Sequence, residues 1–366
     1  MGINPRFAIQ ILEKKEKVLI MKTQPIVDRN ECLRIVNDVV VNPVGKRPID
    51  KLRYQAQYLM IKAYDIAADR GHCEHPLQLK SGTWEYNFYQ LGAYLQRLAD
   101  CWDDSKPAAS TRQAIDIKPA FVLFKKGNSK LPFYSWSTLP AVTCPGAGDC
   151  LNWCYSFTSW RYPAAFARQI QNSILINLAE EKYYSTDFNP AYNIIETAFL
   201  NLPDDVVLRL YVDGDFSNWK TIRFWFTALT LRPDVDAYGY SKSWADILEY
   251  FTMSELNGLP VPDNYYLNVS NGSKYDHDDD IQSKIMALPI TRGRFVAVDL
   301  DGKYEKGFAK KDNREYHKEV RDKIREQYPD SAAFSCPMLC GECTMKEHAC
   351  GSGRFRKVVI GIGIHN

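Results

Sequence analysis

Two rhythms of apolar positions divide the chain. Up to about residue 115 the spacing is helical. KLRYQAQYLMIKAYDIAADRG brings Tyr54, Tyr58, Ile61 and Ile66 near one face and stops at Gly71, a natural C-cap. WEYNFYQLGAYLQRLADCW predicts a second amphipathic helix, with Trp84, Phe88, Leu91, Leu95 and Leu98 along its stripe. DDSKPAAS reads as a linker. Beyond it, FVLF and FYSWSTL are strand-like around the turn KKGNSKLP, and short apolar runs then alternate with amphipathic helices. RYPAAFARQIQNSILINLAEEKYY, WKTIRFWFTALTL, WADILEYFTMSEL and DDDIQSKIMALP predict helices, while VVLRLYV, DAYGYS, YYLNVS and RFVAVDL predict strands. Such alternation predicts an α/β fold built on a parallel sheet, open or closed into a partial (β/α) barrel. Three regions follow: 1–115, mainly helical; 116–302, the α/β core; and 303–366, a charged helix with a cysteine-rich, metal-binding tail.

Composition refines this little. With 366 residues, 45% apolar and 25% charged, the chain is long enough for a sizeable core and ordinary for a globular protein. A formal charge of +2 excludes a constitutive nucleic-acid coat protein but leaves room for a local basic patch. Lys303–Glu326 carries nine Lys/Arg against six Asp/Glu, which reads as a solvated helix laced by ion pairs, with a phosphate-facing surface as the alternative. No run approaches the ~18 apolar residues of a membrane span. MGINPRFAIQILEKKEKVLIMK shows no export signal, so a cytoplasmic location is expected, and Met21 offers a second start.

Candidate chemistry lies in the cysteines. Seven of ten fall in two windows: Cys144, Cys150 and Cys154, spaced C-x5-C-x3-C, and Cys336, Cys340, Cys343 and Cys350, spaced C-x3-C-x2-C-x6-C. Reduced, clustered thiols favour metal over disulfides. The first window predicts a helix opened by CPGAGD, with Cys150 and Cys154 on one face and the helix N-terminus favouring thiolate. Four thiolates complete a set for iron–sulfur or zinc. Iron–sulfur is favoured because only Cys340/Cys343 has the C-x2-C spacing of a zinc knuckle. His348 is an alternative ligand, and the HCEH stretch at His72–His75 reads as a helix-end cap. Asp213, Gly214 and Asp215 close one strand, Tyr240–Ser243 (with Lys242) the next, and Asn268–Asn271 a third. Strand ends of a parallel sheet converge on one ligand-binding edge.

The block GNSKLPFYSWSTLPAVTCPGAGDCLNWCY, followed by LRLYVDGDF and AYGYSKS, resembles the phage gene-product-88-like family over roughly residues 120–350. That resemblance implies a phage or plasmid setting and a cysteine-bound centre. The chain's size and character also resemble plasmid fertility-inhibition proteins. This implies inhibition of conjugative transfer by interrupting transcription of transfer genes, with nucleic acid or the transcription machinery as partner. The core is similar, too, to radical S-adenosylmethionine enzymes, in which three cysteines after the first strand hold a 4Fe–4S cluster. Cys144, Cys150, Cys154, Tyr155 and Gly214-Asp215 occupy the corresponding places, although the family spacing is C-x3-C-x2-C. The late window then resembles an auxiliary cluster domain. On this resemblance Tyr155, Asp213, Gly214, Asp215, Lys242 and Asn268 are candidate cosubstrate contacts, and S-adenosylmethionine the candidate cosubstrate.

Overall fold

A computed structural model describes residues 27–102, 117–128, 130–180, 189–304, 313–341, 343 and 348–364. Met21 and the whole of the expected linker lie outside the described residues. The helical region contains α1 (Arg29–Val36), α2 (Pro48–Asp69) and α3 (Trp84–Cys101). Asp28 caps α1 by accepting from Glu31 N at 2.8 Å, Pro48 opens α2, and Thr83 caps α3. On α2 the buried stripe is Leu52, Ala56, Leu59, Ala63 and Ile66; Ile61 falls opposite it and is exposed. The stripe follows alternating steps of three and four, which position 61 does not share. The HCEH stretch does serve as a cap: His75 Nδ1 accepts from Leu77 N at 3.2 Å.

The eight strands form one sheet in the order β1-β2-β3-β4-β5-β6-β8-β7. They are β1 (Lys125–Asn128), β2 (Leu131–Ser135), β3 (Val207–Leu210), β4 (Asp236–Ser241), β5 (Tyr265–Ser270), β6 (Thr291–Val298), β7 (Ala332–Ser335) and β8 (Val358–Gly363). Only β1 runs antiparallel, as an edge hairpin with β2. FVLF itself is not a strand. Leu123 and Phe124 sink into the core, Phe124 against Trp136, Phe199 and Trp225, and the ladder begins at Lys125↔Ser135.

Between strands run α4 (Pro163–Ala179), α5 (Pro190–Leu200), α6 (Trp219–Leu231), α7 (Trp244–Asn257), α8 (Asp279–Ala287) and α9 (Arg314–Gln327). Period-2 alternation gives the sheet two unlike faces. Leu208, Leu210, Ala237, Leu267 and Val269 join the helices in one core that also takes in α1–α3. The alternate residues Phe133, Tyr238, Tyr240, Tyr266, Phe295 and Phe334 pack on the cysteine tail.

Topology explains that second face. Forward steps from β2 to β6 follow spatial order, and right-handed crossovers put every connecting helix on the same side. From β7 the chain steps backward to β8, which lies between β6 and β7. A right-handed crossover taken in reverse must pass over the opposite face. Of the chain between these strands, the described residues Cys336, Cys343, Ala349, Cys350 and Phe355 pack on that opposite face.

Candidate metal centre

The first cysteine window leaves β2 at the carboxyl edge of the sheet, but not as an α-helix. Asp149–Asn152 and Tyr155–Arg161 are short 3-10 turns, and the α-helix begins only at Pro163. The expectation of a shared helix face and a thiolate-favouring helix terminus is therefore corrected. Here the loop obeys the neighbouring strand end rather than its own spacing. Gly148 N and Cys150 N both donate to Gly272 O, at 3.0 and 3.1 Å, and Lys274 N donates to Gly146 O at 3.0 Å. Gly272, with φ +77°, abuts the loop so closely that a Cβ would meet the Trp153 ring at 2.6 Å and Cys150 Cβ at 2.8 Å.

The other strand ends close around the thiols. Asp215 is buried beneath them, accepting from Phe216 N at 2.8 Å and Lys242 N at 2.7 Å. It ties the β3 loop to the β4 loop, so its oxygens serve the main chain. Gly214 (φ +81°) lies where a Cβ would reach Thr138 Oγ1 at 2.0 Å and Thr143 Oγ1 at 2.6 Å. Asp213 accepts from Gln169 Nε2 at 3.0 Å. Lys242 Nζ donates to Ser270 Oγ at 3.0 Å. Tyr155 is 60% exposed; its hydroxyl donates to Val212 O at 2.9 Å and accepts from Arg209 at 3.3 Å.

Asn268 departs from expectation. It lies inside β5 on the tail-covered face, donating to Gly239 O and Cys350 O and accepting from Arg292 Nε at 2.9 Å. It therefore belongs to the second cysteine group rather than the carboxyl edge. Neither Arg209 nor Arg292 was singled out from sequence. The available signal was an arginine interrupting an apolar strand, in VVLRLYV and in TRGRFVAV.

Cys336, Cys340, Cys343 and Cys350 line one cavity with Tyr238, Tyr240, Phe334, His348 and Ile360. Main-chain N–H groups of Met338 and Ala349 donate to the sulfurs of Cys336 and Cys343, at 3.4 and 3.3 Å. Burial pushes up the thiols of Cys144, Cys150, Cys154, Cys336, Cys343 and Cys350: Cys144 well above the ordinary range, with Asp215 adding to the effect, and Cys350 to about 11 against the pull of Arg292. Lys242 opposes this rise at Cys150 and Cys154. Burial disfavours the charged thiolate, and a metal is the means by which buried cysteines become thiolates. The thiols of each window act electrostatically on one another. Among the described residues, however, no three His, Cys, Asp or Glu side chains converge on a point as ligands of one ion would.

A family model described as Gene product 88 matches residues 111–353, well over half of the chain. No curated protein and no solved structure matches.

Proposed function

The chain belongs to the gene product 88 family, a phage gene-product family, and from that premise we propose an iron–sulfur centre at the carboxyl edge that acts on an organic cosubstrate. One observation carries the reading: Cys144, Cys150 and Cys154 share a loop at the carboxyl end of the first parallel strand, with Lys242 acting on all three. Cys144, Cys150 and Cys154 would hold a 4Fe–4S cluster with one iron left open, and the group would supply one-electron chemistry toward a cosubstrate such as S-adenosylmethionine. Around it Asp215 holds two loops together, Lys242 offers a cation, and Tyr155 presents an exposed ring. Anaerobic reconstitution with iron and sulfide should give a brown protein with a paramagnetic reduced state. Under reductant it should convert S-adenosylmethionine to methionine and 5′-deoxyadenosine, and Cys150→Ala should abolish this turnover. A colourless protein, or a cluster without turnover, refutes the reading.

The phage family supports a mobile-element protein. Interference with transfer-gene transcription draws no further support from the charged helix α9. Its charges are matched by Lys303–Glu319 at 3.1 Å, Arg325–Asp322 at 3.0 Å and Lys323–Glu326 at 3.9 Å, as in a solvated helix. A plasmid-transfer assay separates the readings: a repressor keeps inhibiting after Cys150→Ala, and a cluster enzyme does not.

A further inference from the structure

Arg292 is a permanent cation sealed inside the molecule, with 1% of its surface exposed. Its Nε donates to Asn268 Oδ1 at 2.9 Å. One terminal nitrogen donates to the carbonyls of Phe355 and Val358, at 3.2 and 2.7 Å, and the other to Arg294 O at 3.0 Å. Every one of these acceptors is neutral. Among the described residues, the ionisable groups acting on it are Cys350 and Tyr240. Hydrogen bonds to carbonyls orient a guanidinium but do not cancel its charge, and an uncompensated buried ion is among the most costly features a fold can hold.

We propose that Arg292 is the counter-ion of a thiolate-ligated metal centre formed by Cys336, Cys340, Cys343 and Cys350, and that this centre carries net negative charge. Four thiolates outweigh the two positive charges of a divalent ion or of an oxidised cubane core, and a single guanidinium offsets part of the excess. The surroundings agree. Met338 N and Ala349 N point their hydrogens at sulfur, as donors do toward thiolate. Asn268 accepts from Arg292 and donates to Cys350 O at 2.9 Å, so the cation and the last cysteine are fastened to the same strand residue. Arg292 is thus a positioning residue that makes the tail cavity receptive to an anionic complex. The centre is separate from the carboxyl edge, so it stands or falls apart from the reaction proposed there.

The test uses the full chain, purified anaerobically, in wild-type form and with Cys150→Ala to remove the edge site. Zinc and iron are measured by elemental analysis, with visible absorption and paramagnetic resonance separating ion from cluster; either metal supports the proposal. Cys150→Ala should retain its tail metal. In chelator competition, Arg292→Gln should lose metal about 10–100-fold more readily, and Arg292→Lys should recover most of that loss. If iron is present, Arg292→Gln should also lower its reduction potential. Equal metal retention by Gln and Lys variants overturns the proposal. Should Arg292→Gln fail to fold, alkylation of wild type decides. The four tail cysteines should be protected until chelation, and identical labelling before and after it overturns the proposal.

Discussion

The two cysteine groups keep thiols together by different means. At the carboxyl edge the work is done by main chain: Gly146, Gly148 and Gly272 interlock, and Asp215 accepts from two backbone N–H groups. On the tail-covered face the side chains of Arg292 and Asn268 join main-chain donors at Met338 and Ala349, against a lining of Tyr238, Phe334 and Ile360. Exposure does not separate the two groups, since Cys150 and Cys350 are each 8% exposed. The difference lies in what fixes their surroundings. A loop fixed by backbone keeps its shape whatever it binds, whereas a buried cation such as Arg292 calls for a compensating charge. That contrast fits the proposed roles of reaction at the edge and structure at the tail.

The sharpest way to break this contrast is to strip the metal. Structural metal sites contribute roughly 10 kcal/mol or more. Chelation should therefore release residues 336–357 to rapid hydrogen exchange while amides of residues 144–154 stay protected; equal loss in both would erase the distinction. Next in size is Gly214→Ala, which adds a Cβ against two threonine hydroxyls at a positive φ. It should cost about 2–4 kcal/mol, read from the urea midpoint of the metal-loaded protein, and an unchanged midpoint would show that the edge loop can shift. Asp215→Asn keeps the shape but replaces one acceptor oxygen by a donor facing a main-chain N–H. A loss of about 1–3 kcal/mol is expected, with the tail metal unaffected.

The smallest effect concerns pH. Burial, with Asp215 and Glu249 nearby, pushes the Asp246 carboxyl up to about 6. Between its ordinary range and that value the folded chain holds a proton that the unfolded chain has released. Stability therefore falls as pH rises from about 4 to about 6 and is level above. Asp246→Asn should stabilise the protein by about 1–2 kcal/mol at pH 7, with the difference vanishing near pH 4. A difference independent of pH would place the gain elsewhere.

Much of the α/β core was legible because its strands are apolar runs separated by periodic helices. What escaped did so for physical reasons. AAFS and VVIGIG form β7 and β8, but the first is short and the second one-third glycine, so neither carries a strong strand signal. NPAYNIIETAFL forms α5 from many β-branched and aromatic residues that blur helical periodicity. The cysteine spacing located both windows, yet the first is shaped by Gly272, more than a hundred residues away, which no local pattern reveals. Asn268 was read as a strand end, while its partner Arg292 is visible only once β5 and β6 are paired.

The placement of β8 between β6 and β7 has a consequence for synthesis. As the chain emerges from the ribosome, β7 appears before the strand it pairs with and must wait with an unsatisfied edge until Val358–Gly363 arrives. The cysteine crossover is made in that interval. Until β8 docks, the nascent chain accordingly presents a bare sheet margin to chaperones and proteases.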